Sequence, residues 1–140
     1  MINNDARTFV LLGDGECDEG SVWEAAMSAA HFGLSNLVAI IDENQVQYDG
    51  PTAEIMNLGS LADKWSAFGW KVYEVDGHDV AALADAFDKI AADGSGKPSA
   101  VVAHTIKGKG ASFMELDPAW HHNVMTDELY EQTLRELGEE

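Results

Sequence analysis

The sequence predicts an α/β fold, a three-layer arrangement in which helices cover both faces of a mostly parallel sheet. Short apolar runs bounded by turn residues alternate with helix-length segments from Thr8 to His104. That alternation is the pattern of parallel strands joined by helical crossovers. The polar ends of two of these runs carry Gly13-Asp14-Gly15 and Asp42-Glu43-Asn44, with a helix-length segment between them. If the two strands are parallel neighbours, both ends meet on one sheet edge, where open α/β sheets bind ligands.

Taken in order, Thr8 to Leu12 is the first strand. A polar loop, Gly13 to Gly20, leads into a helix expected over Val22 to Phe32. Ser21 and Glu24 read as a capping box, and Gly33 stands where a left-handed helix stop is expected. The apolar positions of this helix, Val22, Ala25, Ala26, Ala29 and Ala30 among them, are mostly small and suit close packing on a sheet. Leu37 to Ile41 is the second strand. Gln45 to Gly59 contains Asp49-Gly50-Pro51 and no clear period, so a long ordered loop is expected, a type that is commonly functional. A short helix over Leu61 to Phe68 stops at Gly69, and Trp70 to Val75 reads as a third strand. Asp79 is placed to cap a helix over Val80 to Ala92, and Ser99 to His104 is the fourth strand. Thr105 to Asn123 shows no sustained period, and a charged helix capped by Thr126 is expected over Asp127 to Leu137.

A chain of 140 residues, 46% apolar with four Trp, five Phe and three Tyr, is enough for one domain with a real core. It divides into a sheet core over 1–104, a loop over 105–125 and a terminal helix over 126–140. No run approaches the roughly 20 apolar residues of a membrane span, and Met1-Ile2-Asn3-Asn4-Asp5 does not resemble a signal peptide. The expected location is the cytoplasm. Cys17, the single cysteine, cannot form an internal disulfide and reads as a small loop residue. A formal charge of −17 argues against nucleic acid and anionic membranes as partners, and leaves solubility or a counter-charged protein partner.

Asp14 and Asn44 offer a carboxylate and a carboxamide oxygen at neighbouring strand ends, beside glycine backbone. Such a set suits a hard divalent cation carrying a phosphorylated ligand, and the Val46 main-chain carbonyl is the natural third donor. Taken singly, Gly-Asp-Gly is also a turn and Asn44 also a loop residue; their pairing is what points to a site. Lys107, with Gly108 after it and Gly110 beyond, is either a solvated loop lysine or a cation brought close to a ligand by flexible backbone. His78 and His104, at strand ends, are expected to make structural hydrogen bonds.

Gly13-Asp14-Gly15, the helix after it and Asp42-Glu43-Asn44 resemble the thiamine-diphosphate-binding motif of enzymes that use that cofactor. The stretch Gly13 to Gly20, then Asp49-Gly50, Asp76-Gly77-His78-Asp79, and the segment from Lys107-Gly108-Lys109-Gly110 to Trp120-His121 narrow the resemblance to transketolases. It covers nearly all of the chain. The resemblance implies a thiamine-diphosphate-binding fold in which Asp14, Asn44 and the Val46 carbonyl hold Mg²⁺, or Ca²⁺ or Mn²⁺. It implies that the Gly15 amide, Asn44 and Lys107 serve the cofactor's diphosphate end. His121 matches an active-site histidine beside the diphosphate and the donor sugar's hydroxyl, with His122 left open as the reactive member of the doublet. Glu19 matches a glutamate at the subunit interface near the cofactor, and reads equally as a carboxylate favoured by a helix dipole.

The implied activity is transfer of a two-carbon ketol unit from a ketose phosphate to an aldose. The 1-deoxyxylulose-5-phosphate synthases and the α-subunits of 2-oxo acid dehydrogenases share the cofactor motif, and a non-catalytic module of the same fold is a further alternative. The segment from Lys107 to His121 disfavours the dehydrogenase. In the family this domain begins well upstream, and a separate pyrimidine-binding domain supplies the glutamate needed to activate the cofactor. Neither stands in these 140 residues. The expectation is therefore the latter part of a diphosphate-binding domain, incomplete at its N-terminal side and inactive alone. Complementary subunits would complete it in a homo- or hetero-oligomer that acts on sugar phosphates.

Overall fold

The structure, a computed structural model, describes residues 6–138; the ends of the expected domain and of its last helix lie outside the described residues. Four parallel strands form one sheet in the order β1-β2-β6-β5. They are β1 (Thr8–Gly13), β2 (Leu37–Glu43), β5 (Lys71–Asp76) and β6 (Ser99–His104). A two-stranded ribbon, β3 (Val46–Gln47) against β4 (Gly50–Pro51), stands apart from it. The helices are α1 (Gly20–His31), α2 (Thr52–Ile55), α3 (Leu61–Ala67), α4 (Val80–Ala92) and α5 (Asp127–Leu137).

The layers follow from alternation along the two central strands. Ala39 and Ile41 of β2 and Ala100 and Val102 of β6 point to one face, where Ala26 and Ala29 of α1 and Leu61 and Trp65 of α3 cover them. Val38 and Val101 point to the other face and meet Ile90 of α4. Burial on both faces explains why these strands read as continuous apolar runs. The alanines of α1 let its backbone approach the sheet. Trp65 and Trp70 fill the remaining volume edge to face at 4.7 Å, and the Trp70 indole donates to the Ala26 carbonyl at 2.9 Å.

Several expectations change in detail. Helix α1 begins at Gly20, one residue before the expected cap; Glu19, in extended backbone, is its N-cap, and no side-chain capping bond forms there. Ser21 and Glu24 thus lie inside the helix. The start is set by tertiary contact: a 3₁₀ turn over Gly15–Asp18 buries Cys17, and the Trp23 indole donates to the Cys17 carbonyl at 2.8 Å. At the other end Gly33 is left-handed (φ 60°), and Leu34 N donates to the Ala29 carbonyl at 3.0 Å, as a glycine stop requires. The expected loop over Gln45–Gly59 instead holds β3, β4 and α2, closed by Thr52 N donating to Gln45 O at 3.0 Å. The third strand starts at Lys71, because Trp70 is drawn into the core. Asp79 and Thr126 cap α4 and α5 as expected.

Candidate functional site

The crossover through α1 makes β1 and β2 parallel neighbours with Gly13 opposite Asp42. Asp14 and Asn44 therefore leave the same sheet edge, and Asp14 N donates to the Asp42 carbonyl at 3.1 Å. The β3–β4 ribbon folds over this edge from one side, and the loop from Thr105 to His122 approaches from the other. Between them lies a cleft of about 410 Å³ whose lining includes Asp14, Gly15, Asn44, Val46, Tyr48, Lys107 and His121. Asn44 and Lys107 also border a neighbouring cavity of about 620 Å³ under the lysine loop and α5.

Asp14 is only 5% exposed. Its Oδ1 accepts from Gly15 N at 2.8 Å, and its Oδ2 accepts from Gln45 N at 2.8 Å and Thr52 Oγ1 at 3.3 Å. Burial raises its pKa above the ordinary 3.8; the Gln45 and Gly15 amides and the Thr52 hydroxyl pull it down, and nearby Asp42 adds an upward push. Gln45 reaches Asp14 by adopting φ 70°, unusual for a non-glycine residue. The Gly15 amide, expected to serve a diphosphate, is thus engaged by Asp14 itself. Space allows no side chain at Gly15, where a Cβ would stand 2.5 Å from that of Gln47.

Asn44 Oδ1 accepts from Val46 N at 3.1 Å, which leaves its second lone pair. Val46 faces Pro51 across the ribbon, and a proline has no N–H to donate to the Val46 carbonyl. Among the described residues no cluster of three His, Cys, Asp or Glu side chains could hold a metal. The donor set here has a different composition: one buried carboxylate, one amide oxygen and one main-chain carbonyl, all of them oxygen donors. That is the chemistry of Mg²⁺ or Ca²⁺ bound to phosphate, so the residues fit such an ion.

Lys107 is the one lysine or arginine in the cleft lining, facing the carboxylates of Asp14 and Glu16. Gly108 beside it is left-handed (φ 73°) and packs on the Met114 backbone, where a Cβ would lie 2.6 Å from the Met114 carbonyl oxygen. The two histidines separate on one aromatic ring. His121 meets Tyr48 edge-on at 5.6 Å and lines the cleft, whereas His122 stacks nearly parallel on the same ring at 5.0 Å. Glu19 is exposed at the start of α1 and is not part of the cleft lining. His78 accepts from Ile106 N at 2.9 Å, and His104 bonds Glu43 (2.5 Å) and Glu74 (3.3 Å). Both are held structurally.

The family model for the transketolase thiamine diphosphate binding domain matches residues 2–140. This chain belongs to the transketolase family. It is 47% identical over 139 residues to one half of an apulose-4-phosphate transketolase from Phocaeicola vulgatus, a polypeptide named as a subunit, covering 99% of this chain and 49% of the relative. It is 46% identical over 132 residues to a 6-deoxy-6-sulfo-D-fructose transketolase subunit of a Clostridium species, covering 94% and 48%. The chain thus spans about half the length of the curated relatives it matches. The solved transketolase of Campylobacter jejuni superposes with a TM-score of 0.87 at 27% identity, over 96% of this chain and 21% of that one.

Within this transketolase-family domain, sequence reasoning did not find Gln45, Tyr48, Thr52 or the pair Asp42–Thr105. Gln45 and Thr52 reach Asp14 across 31 and 38 positions, and Thr105 reaches Asp42 across 63. No local pattern encodes such contacts. Tyr48 had a weak signal, an aromatic residue just before Asp49-Gly50 in a turn.

Proposed function

We propose that this chain is the cofactor-holding part of a transketolase-type transferase, one that moves a two-carbon ketol unit from a ketose phosphate to an aldose. The observation that carries the proposal is the single cleft that gathers Asp14, Gly15, Asn44, Val46, Lys107 and His121. Asp14, Asn44 and the Val46 carbonyl hold Mg²⁺ or a similar divalent cation. Lys107 balances diphosphate charge, and the Gly15 amide turns to the diphosphate when the cation takes over the Asp14 carboxylate. Bound thiamine diphosphate supplies the carbon nucleophile that accepts and passes on the ketol unit. His121, held edge-on by Tyr48, presents a ring nitrogen to donor hydroxyls and positions them. Glu19, exposed at the start of α1, faces a neighbouring subunit.

The names of two relatives support a sugar with an anionic end, since one is named for a phosphate and the other for a sulfonate. Both are named as subunits, and this, with the half-length match, supports a complementary polypeptide that brings the pyrimidine-binding domain. This chain alone is then inactive. The assembly works in the cytoplasm, a reducing compartment in keeping with a single free cysteine. Calorimetric titration with thiamine diphosphate and Mg²⁺, with and without the polypeptide encoded next to it, tests the assignment. Asp14→Ala and Asn44→Ala are expected to remove Mg²⁺-dependent binding. Unchanged affinity in both variants would sink the cation site.

A further inference from the structure

Asn44 can serve a cation through only one end of its carboxamide, and the two ends have nearly the same shape. In the structure Nδ2 donates to Asp42 Oδ2 at 2.8 Å, while Oδ1 accepts from Val46 N at 3.1 Å. Rotating the amide by half a turn would set its NH₂ against the Val46 N–H and its oxygen against the Asp42 carboxylate. Two hydrogen bonds would become two repulsive contacts. Asp42 is itself restrained: its Oδ1 accepts from Thr105 Oγ1, and its main chain is paired with Gly13 on one side and Ala103 on the other. Only a carboxylate can accept at both ends, from Thr105 and from Asn44 together, so an amide at position 42 would not replace it without reorganisation.

We propose that Asp42, fixed by Thr105, is a positioning residue that selects the oxygen end of Asn44 for the cation. The inference rests on the cofactor reading above. Asp42 borders the cavity under the lysine loop and not the diphosphate cleft, so it acts through Asn44. Outer partners of this kind typically change metal affinity by tenfold or more.

A double-mutant comparison separates orientation from general damage. Asn44→Asp has oxygen at both ends of its side chain, so its orientation no longer matters. Mg²⁺-dependent binding of thiamine diphosphate is measured by calorimetry, with the adjacent polypeptide present, for wild type, Asp42→Ala, Asn44→Asp and the double variant. Asp42→Ala is expected to weaken binding about tenfold in the wild-type background. It should cause no further loss in the Asn44→Asp background. Thr105→Val, which keeps shape and removes the donor, should follow the same pattern with a smaller change, and it carries the comparison if Asp42→Ala fails to fold. Wild-type affinity in Asp42→Ala, or the same fold-loss in both backgrounds, overturns the inference. Absence of Mg²⁺-dependent binding in the wild type would instead overturn the cofactor reading, and this inference with it.

Discussion

Cys17 shows how a loop residue acquires core behaviour. It is fully buried, and burial, followed by the charges of Asp14, Glu16, Asp18 and Glu43, pushes its thiol up to about 12. The folded value exceeds the ordinary 9.0, so the native state gains from a neutral thiol below that pH and loses the gain as pH rises through about 12. A disulfide exchange reagent at pH 8 should therefore label the native thiol slowly and the urea-unfolded thiol at once; fast native labelling would contradict the burial. Gly15 is constrained by space instead. Gly15→Ala drives a Cβ into Gln47 on the ribbon, an overpacking expected to cost about 1–3 kcal/mol in urea unfolding. The displaced ribbon should also lower Mg²⁺-dependent cofactor affinity in the same variant.

Elements with a strong period were legible to within a residue or so. Helix α4 runs over Val80–Ala92 as expected, because Asp79 accepts from both Ala81 N and Ala82 N and its apolar stripe meets β2 and β6. Helix α1 taught the opposite lesson. Ser21-x-x-Glu24 has the spacing of a capping box, yet the 3₁₀ turn anchored by buried Cys17 moves the cap to Glu19. This separates two substitutions by urea denaturation: Asp79→Ala should cost about 1 kcal/mol, and Ser21→Ala less than about 0.5 kcal/mol. Equal losses would restore the capping box. The ribbon β3–β4 escaped notice because two-residue strands have no measurable period. What holds it is tertiary: Gln45 just before it and Thr52 just after it both donate to Asp14.

The two edges of the sheet differ in kind. Strand β5 carries Lys71, Glu74 and Asp76, and Lys71 is paired with Asp93 at 2.7 Å; charges of this sort keep an edge from pairing. Strand β1 reads Thr-Phe-Val-Leu-Leu-Gly, with Phe9 54% and Leu11 69% exposed. Beside it, Val10, Leu12, Val22, Ala25 and Trp65 line an apolar groove of about 240 Å³. Parallel strands are seldom left uncovered. The chain is therefore expected to associate, with itself or with the polypeptide that completes it, and Leu11→Lys should weaken that association. Light scattering at high concentration checks it, and a monodisperse monomer would count against it. With a net charge of −17, association through this uncharged edge should strengthen as salt screens repulsion.

The sequence by itself determined the layered α/β class, the four main strands and the meeting of Asp14 with Asn44. Each of these follows from local periodicity plus the rule that a helical crossover makes neighbouring strands parallel. Tertiary structure decided the rest: which histidine of the doublet lines the cleft, where α1 is capped, which end of the Asn44 amide faces Val46, and which sheet edge lies bare. These depend on contacts such as Tyr48 with His121, Asp14 with Thr52 and Asp42 with Thr105. Each joins residues dozens of positions apart, so its energy appears only once the chain has folded.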